Sequence, residues 1–167
     1  MLIDGFNVAS VLRERHPEAY DILTRVNVQG HAAGEESLFY ESYPSSGYPI
    51  LSVDEFTQEL TQTRWRNDNR SVMRHISPSD LEAWYVAIGL WHGLLTSPEN
   101  EFWVQLEPGT VVVADNYRIL HGRKAFTGKR RMCGAYIGGD DYRSRLSSLK
   151  EKYEGERRSR SVWHPRL

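Results

Sequence analysis

The stretch Asp115-Asn116-Tyr117-Arg118-Ile119-Leu120-His121-Gly122-Arg123, followed by Gly128-Lys129-Arg130-Arg131-Met132-Cys133-Gly134-Ala135-Tyr136, decides how this chain is read. Val111-Val112-Val113 runs into it, which puts His121 at the end of an apolar strand. Two-residue alternation then predicts Arg130, Met132, Gly134 and Tyr136 on one face of a following strand. Arg130 and Tyr136 would lie ~20 Å apart there, at about 3.3 Å per residue. An arginine fork suits a carboxylate, and the negative face of a tyrosine ring suits a quaternary ammonium group. A metal between them, held in part by His121, fits that span, and Gly134 leaves space near the centre. Mononuclear iron oxygenases use two histidines and one carboxylate, which keeps positions open for cosubstrate and oxygen. Each residue also has a plainer reading. A strand-end histidine is more often a hydrogen-bonded core residue, an arginine there can cap a surface turn, and Tyr136 can be core.

Outward from this stretch, 167 residues suffice for one domain with a core. With 40% hydrophobic and 26% charged residues, the composition is that of an ordinary globular protein. A net charge of -1 gives no global electrostatic case for nucleic acid or an anionic membrane, so neither is expected as a partner. Cys133 is the only cysteine, which excludes an internal disulfide framework and a thiolate-rich zinc site. No apolar run approaches the ~20 residues that span a bilayer. The opening Met1-Leu2-Ile3-Asp4-Gly5-Phe6 has neither a basic leader nor an apolar signal core, so the compartment, cytoplasmic or mitochondrial, stays open.

Along the chain, Asp4 is a candidate N-cap for a helix to about Arg13, and Pro17 opens a second short helix. Residues 29–48 read as a long surface loop. Ile50 to Val53 and Leu60 to Trp65 read as strands around an acidic turn. The clearest helix starts at Ser77-Pro78-Ser79, with Ser79 and Glu82 as a capping box. Leu81, Trp84, Tyr85, Ile88, Trp91 and Leu95 then recur at helical spacing, and Pro98 closes the run. Phe102, Val104 and Leu106 alternate before Pro108-Gly109, which predicts a hairpin with the 111–113 strand. From Asp140 the chain turns helical, and residues 150–167 form a charged, solvated tail after a domain over 1–149. The expected class is mostly β with flanking helices.

The Asp115–Arg123 text closely resembles the Asp-Asn-Trp-Arg-x-x-His-Gly-Arg of the trimethyllysine dioxygenase / γ-butyrobetaine dioxygenase family, which is TauD/TfdA-like; Tyr117 replaces the usual Trp. Arg64-Trp65-Arg66-Asn67-Asp68-Asn69-Arg70 is similar to the family's Arg-aromatic-Asn-Asn-x-x-Arg strand, with Arg66 in place of the first asparagine. Ile3-Asp4-Gly5-Phe6 matches as well, and 98–104 with Phe126-Thr127-Gly128 resembles the trimethyllysine branch more than the butyrobetaine branch. The similarity covers roughly residues 2–149.

The resemblance implies the C-terminal part of a double-stranded β-helix (jelly roll) with Fe(II), 2-oxoglutarate as cosubstrate and ascorbate as reductant. It implies His121 as an iron ligand, Arg130 as the 2-oxoglutarate clamp, Tyr136 in the ammonium cage and Asn67 against substrate. The small-molecule substrate would be N6,N6,N6-trimethyllysine, hydroxylated in the first step of carnitine biosynthesis, and a homodimer is the expectation for the full-length family member. The family's remaining iron ligands come as His-x-Asp upstream of the Ile-Asp-Gly-Phe segment. None of the six histidines here begins a His-x-Asp, and the one His-x-Glu, His16-Pro17-Glu18, lies downstream of that segment, so the chain is expected to start after the motif. Sheet edges and apolar faces would then be exposed. Two alternatives follow: a non-catalytic remnant or interaction fragment, and a γ-butyrobetaine dioxygenase.

Overall fold

Asp4 sets the first corner of the molecule. In the computed structural model, which describes residues 1–31, 46–74 and 76–155, its carboxylate accepts from the Phe6 and Asn7 amides at 3.1 and 3.3 Å. That cap ends strand β1 (Leu2–Asp4) and starts helix α1 (Gly5–Arg15). Arg13 and Arg15 in the last turn complement the helix dipole. His16 then turns the chain into α2 (Pro17–Arg25), where Pro17 occupies the position whose amide needs no partner. The two helices expected from Asp4 and Pro17 are both present.

Helix α3 (Pro78–Leu95) is capped by Ser77, not Ser79: the Ser77 hydroxyl accepts from the Asp80 amide at 3.1 Å. Pro78 is thereby first in the helix, a position that fits its ring, and the capping-box reading of Ser79 with Glu82 is corrected. The helix stops before Pro98, at Thr96, whose amide donates to the His92 carbonyl at 3.0 Å. Its Trp84, Ala87, Ile88, Trp91 and Leu95 are buried against Val8, Ala9 and Leu12 of α1 and Ala19, Ile22 and Leu23 of α2. Tyr85, expected on the same face, is exposed and instead takes a hydrogen bond from Arg70 at 3.1 Å. An exposed ion pair, Arg25 to Asp80 at 3.0 Å, also joins α2 to α3.

Two small antiparallel sheets flank this helical core. Strands β2 (Leu51–Val53) and β3 (Leu60–Thr63) form the hairpin expected around the acidic turn, with a register shift between Ser52 and Val53. Strand β4 (Ile119–His121) pairs with β1, placing Leu2 opposite His121, Ile3 opposite Leu120 and Asp4 opposite Ile119. Strands are three or four residues long, so the expectation of a mostly β chain is corrected: among the described residues helices dominate.

The hairpin expected over 102–113 is absent, apart from a single bridge between Leu2 and Phe102. A strand is completed by a neighbour's backbone, and no described strand offers one to residues 111–113. The chain divides into two compact units, Met1–Ala125 and Phe126–Leu167. The second unit contains α4 (Gly139–Glu154), which carries Asp140 and Asp141 in its first turn and ends at a left-handed Gly155. Most of the long loop expected over 29–48 and the last part of the charged tail lie outside the described residues; α4 itself runs on to Glu154.

Candidate functional site

Backbone register, more than any side-chain contact, fixes where His121 points. The Met1 amino group donates to the Gly122 carbonyl and the Gly122 amide to the Met1 carbonyl, each at 3.2 Å. The adjacent pair, Leu2 and His121, is therefore a closely spaced non-hydrogen-bonded pair. Ile3 and Leu120 face the core, where Ile3 is buried and Leu120 packs against it half-buried. Alternation then turns Leu2, Asp4, Ile119 and His121 to the other face. His121 is exposed, and its Nδ1 lies 3.5 Å from the Ile119 carbonyl, at the limit of a hydrogen bond. The plainer alternative of a buried, satisfied core histidine does not describe it.

The turn that delivers β4 is tied to the helical core at several points. The Arg118 fork donates to both oxygens of Asp4, at 3.0 and 2.6 Å. The Gly5 amide donates to the Arg118 carbonyl at 2.9 Å, and the buried Thr63 donates its amide to the Tyr117 carbonyl at 2.8 Å. Gly5 fits this junction because it lacks a side chain: a Cβ there would come within 2.5 Å of Thr63 Oγ1 and 2.9 Å of the Arg118 carbonyl oxygen. The Asp115 carboxylate accepts from the Tyr117 amide at 2.9 Å and closes the turn. Arg118 holds the Asp4 carboxyl below its ordinary range, against a smaller opposing effect of burial; the two helix-capping amides add to the lowering. Beside this junction lies an open recess of about 770 Å³, lined by residues that include Leu2, Asp4, Phe102, Val113 and Asp115.

Asn67 begins a 3-10 turn (Asn67–Asn69), is exposed, and accepts from Arg70 Nε at 3.4 Å. Sequence reasoning passed over its neighbour Asn69, whose buried Oδ1 has no hydrogen-bond partner, and Arg64, whose Nη1 is likewise buried and unpaired. The Arg64 guanidinium stacks 4.1 Å from the Tyr48 ring centroid. The signal available for both was only their place in the Arg64–Arg70 text. Asp4 was legible as a cap, but its fork to Arg118 was not.

Arg130 and Tyr136 belong to the second unit. Residues 129–137 form no strand, so the shared strand face expected for Arg130, Met132, Gly134 and Tyr136 is corrected; no described strand takes up their backbone groups. Arg130 Nη2 lies 2.6 Å from Met132 Sδ, and its guanidinium sits 5.7 Å from the Phe126 ring centroid. Tyr136 is exposed.

Comparison with known proteins places this chain in a family. The profile described as "Taurine catabolism dioxygenase TauD, TfdA family" matches residues 1–136, and the chain belongs to that family. Membership implies 2-oxoglutarate and iron(II) chemistry on a jelly-roll fold, of which the chain itself shows two small sheets beside a helical core. The chain is 47% identical to the trimethyllysine dioxygenase of Neurospora crassa over 87% of its own length and 30% of the relative's. It is 36% identical to the mitochondrial trimethyllysine dioxygenase of Bos taurus over 84% and 33% of the two lengths. It is 28% identical to the human gamma-butyrobetaine dioxygenase over 92% and 40%. The chain thus spans about a third of the length of the trimethyllysine dioxygenases it matches.

Among the described residues no three His, Cys, Asp or Glu side chains gather where a metal could be held. His121 is one imidazole without a second donor beside it, so the described residues do not by themselves fit an iron centre. None of the described helices is long and apolar enough to cross a membrane.

Proposed function

We propose that this chain is part of an Fe(II)- and 2-oxoglutarate-dependent dioxygenase that hydroxylates N6,N6,N6-trimethyllysine at the carbon β to its amino-acid carboxylate, the first step of carnitine biosynthesis. The observation that carries this reading is the 47% identity with a trimethyllysine dioxygenase over 87% of the chain. The exposed face of His121 supports its role as one iron ligand, with the other donors supplied by sequence corresponding to the part of the relatives that this chain does not span. Arg130 is the residue we assign to the 2-oxoglutarate carboxylate, Tyr136 to the ammonium cage and Asn67 to substrate. In this reading residues 1–149 belong to the dioxygenase domain and the charged residues after them to a tail. Ascorbate serves as reductant, the full-length enzyme is a homodimer, and its compartment is cytoplasmic or mitochondrial, the second being that named for the trimethyllysine dioxygenase of Bos taurus.

The test uses a polypeptide of the relatives' length that carries this sequence, supplied with Fe(II), 2-oxoglutarate and either trimethyllysine or γ-butyrobetaine. Succinate release is expected with trimethyllysine, reduced by His121→Ala more than the roughly 10–100-fold that outer-shell changes cause. Arg130→Met is expected to raise the 2-oxoglutarate KM by about 10-fold or more, the worth of a charged hydrogen bond. The 167-residue chain alone is expected to release none. Preference for γ-butyrobetaine would move the assignment to that branch. Absence of substrate-dependent succinate from the longer polypeptide would favour a non-catalytic interaction fragment.

A further inference from the structure

The β1–β4 pair is three residues long, and nothing in the His121 side chain anchors it beyond one marginal contact with its own strand. A slip of one residue in such a pair would turn every side chain to the opposite face. His121 would then point at the core beside Ile3, and Leu120 would face out. Burial of Ile3 and half-burial of Leu120 favour the observed register, but so short a pair has few contacts to hold it, which leaves room for a device outside the ladder to reinforce it.

The chain end that enters β4 carries the candidate. Arg118 immediately precedes the strand, and Asp4 ends the strand it pairs with. The fork between them makes two hydrogen bonds to the two oxygens of one carboxylate, a bidentate geometry that favours this alignment of the two backbones. The Arg118 carbonyl is held in the same place by the Gly5 amide, at the first residue of α1. Asp4 cannot follow a slipping strand, because its carboxylate is also the cap of that helix. The core buries Val8, Ala9 and Leu12 of α1, so the helix is the fixed partner and β4 the element being placed.

We propose that the Asp4–Arg118 fork is a register pin: it aligns β4 on β1 so that His121 faces away from the core. Both are positioning residues that act on His121 through the backbone. The consequence for iron rests on the function proposed above, but the register itself does not.

Nuclear magnetic resonance of the 167-residue chain tests it without metal or cosubstrate. The observed pairing predicts a strong contact between the α-protons of Leu2 and His121. Asp4→Asn keeps an oxygen to cap α1 but removes the charge that holds the fork, and Arg118→Gln removes the fork from the other side. In both variants the Leu2–His121 contact is expected to fall by about threefold, within what an exposed ion pair supports, while contacts of a slipped pairing between Leu2 and Leu120 or Gly122 appear. Arg118→Lys, which keeps the charge, should restore part of the signal. Amide exchange in α1 should stay protected throughout.

An unchanged Leu2–His121 contact in Asp4→Asn and Arg118→Gln would overturn the proposal. So would loss of the contact together with α1 protection, since the pair would then be a general stabiliser of the unit. If the register shifts as expected yet the longer polypeptide shows no His121-dependent turnover, the functional reading fails and the pin stands.

Discussion

Two stretches of the first unit, similar in apolar content, meet opposite fates. In α3, Trp84, Ile88, Trp91 and Leu95 are buried against α1 and α2. From Phe102 to Val113 the apolar side chains are exposed, with Val111 at 84% and Val113 at 87%. A helix completes its own backbone hydrogen bonds and needs a neighbour only for one face. A strand needs a neighbour's amides and carbonyls before its side chains acquire a face to bury. The same hydrophobicity is therefore used at once in one stretch and left open in the other.

The largest effect that would break this contrast is in the helix. Trp91→Ala removes a fully buried ring from the centre of the three-helix core and is expected to destabilise the chain by about 3–5 kcal/mol, read from denaturant unfolding. The indole N–H of Trp91 has no hydrogen-bond partner, so the loss is one of packing alone. A cost below about 1 kcal/mol would mean that α3 is not the element around which the unit is built.

A smaller effect lies at the start of α1, where Asp4 takes the Arg118 fork. The carboxyl is held below its ordinary value in the folded state, so the unfolded chain binds more protons across the window from about pH 4 downward. Its stabilisation is present above that window and is lost as pH falls through the folded pKa. Thermal unfolding midpoints measured from pH 6 to pH 2 should fall more steeply in the native chain than in Asp4→Asn. The difference should be worth about 1 kcal/mol or less, because the pair is open to solvent. Equal slopes would show that the fork is not held in solution.

The smallest effect is the sharpest check on the open stretch. Val113→Ser should leave the unfolding free energy within about 0.5 kcal/mol, as expected of an exposed position. A loss above about 1.5 kcal/mol, typical of burial, would show that the 111–113 segment is covered in the 167-residue chain.

Much of this architecture was legible because its causes are local. Asp4 and Pro17 announced α1 and α2, the apolar spacing of 81–95 announced α3, and the acidic turn announced the β2–β3 hairpin. Ser79 was the wrong cap because Ser77 and Ser79 are equally plausible on paper, and only the Ser77 hydroxyl reaches the Asp80 amide. The strands expected over 102–106, 111–113 and 128–136 were misjudged for one reason: alternation describes what a segment would bury if a partner were there. Of the candidate site, His121 was legible as a strand-end residue. Arg130 and Tyr136 were picked out by an alternation the structure does not form as a strand and by resemblance, Asn67 by resemblance alone, and none is marked out by burial.

The order of residues by itself determined the helices, the β2–β3 hairpin and membership of an oxygenase family, since caps, periodicity and motif spacing are properties of neighbouring residues. Only the tertiary structure decided that Leu2 lies opposite His121 and that Asp4 grips Arg118. Those pairings join the two ends of the first unit, where distance along the chain carries no information and backbone register chooses the face each side chain presents.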